Sequence, residues 1–149
     1  MRGPQVEPAV GLPDEVRIYE VGPRDGLQNE PTVVPAAVKA EFIRRLAAAG
    51  LPVIETTSFV PPSWVPQLSD AAEVLELLGP DGLGRNRPVL VPNERGLDRA
   101  LAAGVQAVAI FGCATETFAQ KNLNRSVADS VEMFRPVVER SRSAGLWVR

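Results

Sequence analysis

The sequence contains no histidine and only one cysteine, and both shortages restrict the chemistry open to this chain. Histidine is the commonest general base and the commonest metal ligand in proteins. Any acid–base or metal chemistry must therefore use carboxylates, arginine, hydroxyl groups or Cys113. A lone cysteine also excludes an internal disulfide and a multi-cysteine zinc site. Because no adjacent general base is evident, Cys113 is interpreted as a small buried residue.

Charge and hydrophobicity exclude further classes of partner. The chain of 149 residues has a formal net charge of −2, so no bulk electrostatic attraction to nucleic acid or to an anionic membrane is expected. No apolar run approaches the ~20 residues of a membrane-spanning helix. The first residues lack the apolar core of a signal peptide, and Glu7, Asp14 and Glu15 are unlike an organelle transit peptide. We therefore predict a disordered extension over residues 1–15 and a cytoplasmic protein without membrane or nucleic-acid partners.

Strand and helix patterns alternate along the rest of the chain. The predicted order is strand 16–22, helix 35–50, strand 52–59, helix 69–79, strand 88–92, helix 94–104, strand 107–114, polar loop 115–124, helix 126–143 and strand 145–149. Gly50, Gly79 and Gly104 are interpreted as helix ends, and Ser69 as an N-cap. This alternation predicts parallel strands joined by crossover helices.

Two architectures fit such a pattern: a doubly wound sheet and a (β/α)8 TIM barrel. The glycine fingerprint G-x-G-x-x-G of dinucleotide-binding sheets is absent after the first strand. A closed barrel typically needs ~250 residues. As a barrel, the chain covers about the first four βα units and the start of the fifth strand, and the last strand has no helix after it. We therefore expect a sequence fragment or a truncated gene product.

Polar residues follow the predicted strands, at the edge where parallel α/β proteins bind ligands. They are Arg24, Asp25 and Gln28 after the first strand, Glu55, Thr57 and Ser58 in the second, Asn93 after the third, and Thr115 and Glu116 after the fourth. Arg24 and Asp25 are also consistent with a structural ion pair that fixes a loop. Glu55 is harder to explain structurally, because a carboxylate in a covered strand is costly unless it is paired or bound to a metal. Trp64 and Phe118 are predicted in loops, where they either line a pocket or serve packing.

The segments "IYEVGPRDGLQNE", "AGLPVIETTSFV", "WVPQLSD", "PVLVPN" and "AIFGCATETFAQKNLN" together resemble the hydroxymethylglutaryl-CoA lyase family. The resemblance extends over nearly all of residues 16–149. It implies a TIM barrel, of which residues 16–149 are the amino-terminal half of the catalytic domain. It also implies cleavage of 3-hydroxy-3-methylglutaryl-CoA to acetoacetate and acetyl-CoA, as in leucine breakdown, with Mg²⁺ or Mn²⁺ as cofactor.

The resemblance also implies roles for individual residues. Asp25 of the arginine-aspartate-glycine motif corresponds to a metal ligand, and Arg24 contacts the substrate and stabilises the developing enolate. Glu55 supports this catalytic site, while Gln28 and Ser58 are candidate substrate contacts. The implied partner is a small acyl-CoA thioester, and the full-length parent is expected to be a homo-oligomer.

This chain departs from the family in one respect that affects activity. The family's two metal-binding histidines, its metal-binding asparagine and its catalytic cysteine lie in the second half of the barrel, beyond Arg149. Cys113 does not occupy the position of that cysteine. We therefore predict that the chain alone is inactive. The alternatives are a lyase for a longer branched 3-hydroxyglutaryl-CoA and an inactive truncated remnant.

Overall fold

A computed structural model describes residues 11–13 and 15–149. The strands are β1 (Tyr19–Glu20), β2 (Val53–Ile54), β3 (Thr57–Ser58), β4 (Val89–Leu90), β5 (Ala107–Ala109) and β6 (Trp147–Val148), and the α-helices are α1 (Ala36–Ala48), α2 (Ala71–Leu78), α3 (Glu94–Ala102), α4 (Glu116–Leu123) and α5 (Val127–Ser143). Short helical turns cover Gly22–Gly26, Pro66–Leu68 and Gly79–Gly82. The predicted extension over residues 1–15 lies largely outside the described residues. Among the described helices, none combines the length and apolar character that crossing a membrane requires.

All paired strands of the described residues are parallel, and their spatial order follows their order along the chain. β1 pairs with β2, and β3, β4, β5 and β6 pair in that sequence. A doubly wound sheet reverses its strand order near the middle, whereas a barrel adds each strand beside the previous one. The observed order is therefore that of a partial barrel, as predicted.

The predicted strand 52–59 forms two short strands instead of one. β2 pairs with β1, with Tyr19 opposite Val53, and β3 pairs with β4. Between them, the Glu55 N–H donates to the Glu20 carbonyl at 2.8 Å and the Thr56 N–H donates to the Pro88 carbonyl at 3.0 Å. The Ile54 N–H also donates to the Asn86 carbonyl at 3.1 Å, so residues 54–56 bond alternately to the strands on both sides.

Helices cover the sheet through two groups of buried residues. The first joins α1, β2 and α2 and consists of Ala36, Ala40, Ile43, Ile54, Val74 and Leu78. The second joins α2, β4, α3, β5 and α5 and includes Leu75, Val89, Leu97, Val108, Phe134 and Val137. β2, β4 and β5 are apolar and buried along their whole length, which is typical of parallel strands covered by helices.

Three predicted helix ends are confirmed and one predicted N-cap is wrong. Gly50, Gly79 and Gly104 follow α1, α2 and α3 with φ of 89°, 62° and 75°, positive values that glycine adopts without steric cost. Ser69, however, is not the N-cap of α2. Asp70 occupies that position, and the Ser69 hydroxyl instead donates to the Pro66 carbonyl at 2.8 Å.

The predicted polar loop 115–124 is also wrong, because it contains helix α4. The Thr115 side chain caps this helix by accepting the Phe118 N–H at 3.3 Å, and Asn124 ends it with φ of 51°. The strands are shorter than predicted as well. The first covers only Tyr19–Glu20, because the chain enters a helical turn at Gly22.

Candidate functional site

A helical turn directly after β1 positions the predicted arginine and aspartate. The Val21 carbonyl accepts both the Arg24 N–H at 3.0 Å and the Asp25 N–H at 2.7 Å. Gly22 opens this turn, and its N–H donates to the Glu20 carboxylate at 2.5 Å. A Cβ at Gly22 would lie 2.8 Å from the same carboxylate oxygen, so no other residue fits there without displacing Glu20. The turn therefore fixes the backbone from which Arg24 and Asp25 extend.

Glu55 is buried and fully engaged by two donors. Its side chain is 3% exposed. Arg24 Nε donates to Glu55 Oε1, and the Tyr19 hydroxyl donates to Glu55 Oε2 at 2.6 Å. A buried carboxylate is stable when its charge is paired and its oxygens accept hydrogen bonds. The structure therefore pairs Glu55 with Arg24, one of the two outcomes that the sequence allowed.

Arg24 joins this buried carboxylate to a second carboxylate near the surface. Its Nη1 atom lies 2.6 Å from Asp25 Oδ1. The Arg24 side chain is 17% exposed and that of Asp25 is 54% exposed. Arg24 thus uses separate nitrogens for Glu55 and Asp25, which orients the guanidinium plane. The arrangement places a fixed positive charge beside an accessible carboxylate.

Tyr19 belongs to this cluster, and the sequence analysis missed it. The Arg149 guanidinium lies over its ring, 3.7 Å from the centroid. Burial, reinforced by the adjacent Glu55 carboxylate, raises the pKa of the Tyr19 phenol well above its ordinary value of 10.0, against an opposing effect of Arg149. The phenol is therefore a hydrogen-bond donor throughout the physiological range. The sequence does contain one indication of its role, because Tyr19 is the only tyrosine of the chain and lies on the strand that leads to Arg24.

The other predicted site residues have structural partners or lie apart from this cluster. Asn93 caps α3 by accepting the Gly96 N–H at 3.0 Å, and Glu116 accepts the Val127 N–H at 3.1 Å. The Ser58 hydroxyl accepts the Val60 N–H at 3.3 Å, whereas the buried Thr57 hydroxyl has no hydrogen-bond partner within the described residues. Gln28 is half-buried just beyond the turn.

The remaining candidates lie outside the Arg24 cluster. Cys113 is buried and free, as predicted. Trp64 and Phe118 are exposed, and Phe118 belongs to α4 rather than to a loop. A groove beside α5 is lined by Ile110, Phe134 and their neighbours, and none of its lining residues belongs to the Arg24 cluster.

Asp25 is chemically suited to a hard divalent cation, because Mg²⁺ and Mn²⁺ prefer oxygen ligands. Its carboxylate is accessible, and only Oδ1 contacts Arg24. Within residues 11–13 and 15–149, no group of three or more histidine, cysteine, aspartate or glutamate side chains is placed to hold a metal ion. Among the described residues, Asp25 is therefore suited to supply one ligand of such a site. Water, substrate or other protein groups would supply the remaining ligands.

Comparison with solved structures supports the architecture. Hydroxymethylglutaryl-CoA lyase from Pseudomonas aeruginosa has a TM-score of 0.84 and 45% identity, over 93% of this chain and 46% of that one. A lyase from Acinetobacter baumannii in complex with coenzyme A and 3-methylmalate has a TM-score of 0.78 and 32% identity, over 89% of this chain and 43% of that one. The fold is therefore an α/β TIM barrel, present here in part.

Curated relatives and a family model agree with this class. The mitochondrial hydroxymethylglutaryl-CoA lyase of Bos taurus is 52% identical over 138 residues, which are 93% of this chain and 42% of that protein. The cytoplasmic 3-hydroxy-3-methylglutaryl-CoA lyase of Rattus norvegicus is 50% identical, over 93% of this chain and 40% of that protein. The chain spans less than half the length of these relatives. The HMGL-like family model matches residues 15–149, and the chain belongs to this family.

Proposed function

We propose that this chain carries the first part of the active site of a lyase that cleaves 3-hydroxy-3-methylglutaryl-CoA to acetoacetate and acetyl-CoA. The observation that carries the proposal is the buried Arg24–Glu55 pair, which fixes a guanidinium beside the accessible carboxylate of Asp25. Identity of 52% and 50% to two lyases of this substrate supports the choice of substrate.

The reaction breaks the bond between the carbon that bears the tertiary hydroxyl and the α-carbon of the thioester. The hydroxyl loses its proton and becomes the ketone of acetoacetate, while the electron pair of the broken bond passes to the thioester as an enolate. Protonation of the α-carbon then gives acetyl-CoA. Negative charge develops on the thioester oxygen, so a preorganised cationic donor aimed at that oxygen lowers the barrier.

We assign the stabilisation of this oxygen to Arg24, because a guanidinium remains charged at every physiological pH and its orientation here is fixed. Glu55 is not suited to proton transfer in this arrangement, since both of its oxygens already accept hydrogen bonds. Its proposed role is to hold the Arg24 guanidinium in place.

Asp25 is the proposed metal ligand of this segment. When bound, Mg²⁺ or Mn²⁺ would supply Lewis acidity toward the hydroxyl and carbonyl oxygens of the substrate. Asp25 would contribute a negatively charged oxygen, and its contact with Arg24 would keep the guanidinium close to the metal. Gln28 and Ser58 remain predicted substrate contacts.

An acyl-CoA thioester as partner is supported by the complex of the Acinetobacter baumannii lyase with coenzyme A and 3-methylmalate. A homo-oligomeric parent remains a prediction. A cytoplasmic location also remains a prediction, and the curated relatives include both mitochondrial and cytoplasmic lyases.

A chimera tests the proposed function directly. Residues 15–149 replace the matching segment of the Pseudomonas aeruginosa lyase, and acetoacetate release from 3-hydroxy-3-methylglutaryl-CoA is measured with Mg²⁺ or Mn²⁺. We expect the chimera to turn over the substrate and the isolated chain to show no turnover. Arg24→Gln should lower the rate of the chimera at least tenfold. A folded chimera without activity, beside an active parent lyase, would refute the proposal. Faster turnover of a longer branched 3-hydroxyglutaryl-CoA would change the assigned substrate.

A further inference from the structure

We propose that Tyr19 is a positioning residue, whose phenol holds the Glu55 carboxylate in the orientation that fixes the guanidinium of Arg24. The inference rests on the proposed function, because it assigns a further residue to the same site. It starts from a hydrogen-bonded series that runs from Tyr19 through Glu55 and Arg24 to Asp25.

Strand pairing places the phenol on the correct side of the sheet. Tyr19 lies opposite Val53 in the parallel pair of β1 and β2, so these two side chains share one face. Glu55 follows Val53 by two residues and is therefore on that face as well. Ile54, in the intervening position, packs on the opposite face against α1 and α2. The Tyr19–Glu55 contact is thus a consequence of register, not of a flexible side chain reaching across.

The two oxygens of Glu55 have different donors, and this division gives Tyr19 its role. Oε1 accepts from Arg24 and Oε2 accepts from Tyr19 at 2.6 Å. The terminal torsion of a glutamate is soft, so a carboxylate with one donor rotates more freely than a carboxylate held at both oxygens. Without the phenol, Oε2 would also be left buried without its donor, which costs free energy and favours a rearranged carboxylate.

The surroundings of the ring preserve this arrangement. The Arg149 guanidinium lies 3.7 Å from the ring centroid and favours the ring position through a cation–π contact. The raised pKa of the phenol keeps its proton in place, so the hydrogen bond to Glu55 keeps its donor. The Tyr19 hydroxyl therefore remains a hydrogen-bond donor to Glu55 throughout the physiological pH range.

The first test compares Tyr19→Phe with the unmodified chimera described above. The substitution removes only the hydroxyl, so we expect kcat to fall by roughly 10-fold, in line with the loss of one buried hydrogen bond, while KM and Mn²⁺ affinity change by less than about twofold. Leu77→Ala, on an exposed position of α2, is the matched control and should leave all three values unchanged. An unchanged kcat would overturn the proposal, as would an increase in KM alone, which would indicate a substrate contact.

A second test needs no activity and uses the isolated chain. Tyr19→Phe is introduced both into the unmodified chain and into a Glu55→Ala variant, and urea denaturation measures the free energy of unfolding of all four proteins. If the phenol contacts the carboxylate, Tyr19→Phe lowers stability in the unmodified chain and has a much smaller effect beside Glu55→Ala. Equal effects in both backgrounds would show that Tyr19 is not coupled to Glu55 and would overturn the inference. This result is distinguishable from failure of the proposed function. If the proposed function were wrong, the chimera would show no turnover, but the coupling between Tyr19 and Glu55 would still be measured.

Discussion

Asp25 and Glu55 are both carboxylates that contact Arg24, but their surroundings assign them different tasks. Glu55 is 3% exposed with both oxygens engaged, whereas Asp25 is 54% exposed and contacts Arg24 through one oxygen. An accessible carboxylate can lose water and bind a cation, while a buried carboxylate with two donors cannot do so without breaking its hydrogen bonds. At the residue scale, burial therefore separates the proposed metal ligand from the group that holds Arg24.

Asp25→Asn is predicted to weaken Mn²⁺ binding in the chimera by at least tenfold. The substitution removes one anionic oxygen ligand and preserves the shape of the side chain, so the loss reports charge rather than folding. Isothermal titration calorimetry measures the affinity, with Asp81→Asn on the surface as the control. Equal affinity in Asp25→Asn and the unmodified chimera would contradict the assignment of Asp25 as a ligand.

Arg24→Gln is predicted to lower kcat of the chimera by on the order of 10²–10³, because a preorganised donor to the developing oxyanion is lost. Mn²⁺ affinity should stay within about threefold of the unmodified value, since the Asp25 carboxylate remains. Arg24→Lys should not restore activity, because one ammonium cannot reproduce separate Nε and Nη1 contacts to Glu55 and Asp25. A kcat loss below about tenfold would reduce Arg24 to a structural role.

At the scale of elements, a buried lysine joins α1 to the start of α2. The Lys39 side chain is 3% exposed, and its Nζ atom lies 2.7 Å and 2.9 Å from the two carboxylate oxygens of Asp70. Nζ also donates to the Gln67 carbonyl. The ammonium thus has three oxygen acceptors, and the ion pair links α1 to the N-cap residue of α2.

Asp70→Asn should lower the free energy of unfolding by about 3 kcal/mol, because it leaves the buried ammonium of Lys39 without a counter-charge. Urea denaturation of the isolated chain measures the change. Glu41→Gln is the control: it breaks the exposed Glu41–Arg45 pair, which should contribute less than about 0.5 kcal/mol. A double variant, Lys39→Met with Asp70→Ala, should recover most of the loss. Equal effects of Asp70→Asn and Glu41→Gln would contradict this account.

At the scale of the whole molecule, the described sheet is open at both ends. β1 and β6 each pair on one side only within residues 11–13 and 15–149, and Trp147 on β6 and Ile18 beside β1 are exposed. Such edges carry backbone groups that can pair with another chain. The solved relatives are more than twice the length of the matched region, and their barrels extend beyond it.

The isolated chain is therefore predicted to self-associate at micromolar concentration, which sedimentation velocity would detect. Trp147→Lys should reduce the association, because it removes exposed apolar surface and places a charge on the edge strand. Lys121→Arg, a conservative change on α4, serves as the control. A monomeric chain at every concentration tested would contradict the prediction.

The sequence by itself determined the local features of this protein and its family. The alternation of strands and helices, the helix ends at Gly50 and Gly104, and the motif around Arg24 and Asp25 are encoded by residues close together in the chain. The family resemblance follows from such segments as well, and the HMGL-like match confirms it. Local conformational preference and hydrophobic period act over a few residues, so the sequence reveals them directly.

Only the tertiary structure decided which polar groups meet. Tyr19 and Arg24 reach Glu55 across 36 and 31 residues of chain, and Lys39 reaches Asp70 across 31. The alternating hydrogen bonds of residues 54–56 to the strands on both sides likewise depend on which strands become neighbours. These contacts depend on strand register and on the crossing of packed helices, which no short segment encodes. A buried carboxylate could be foreseen to need a partner, but the identity of both donors to Glu55 required the sheet to be assembled.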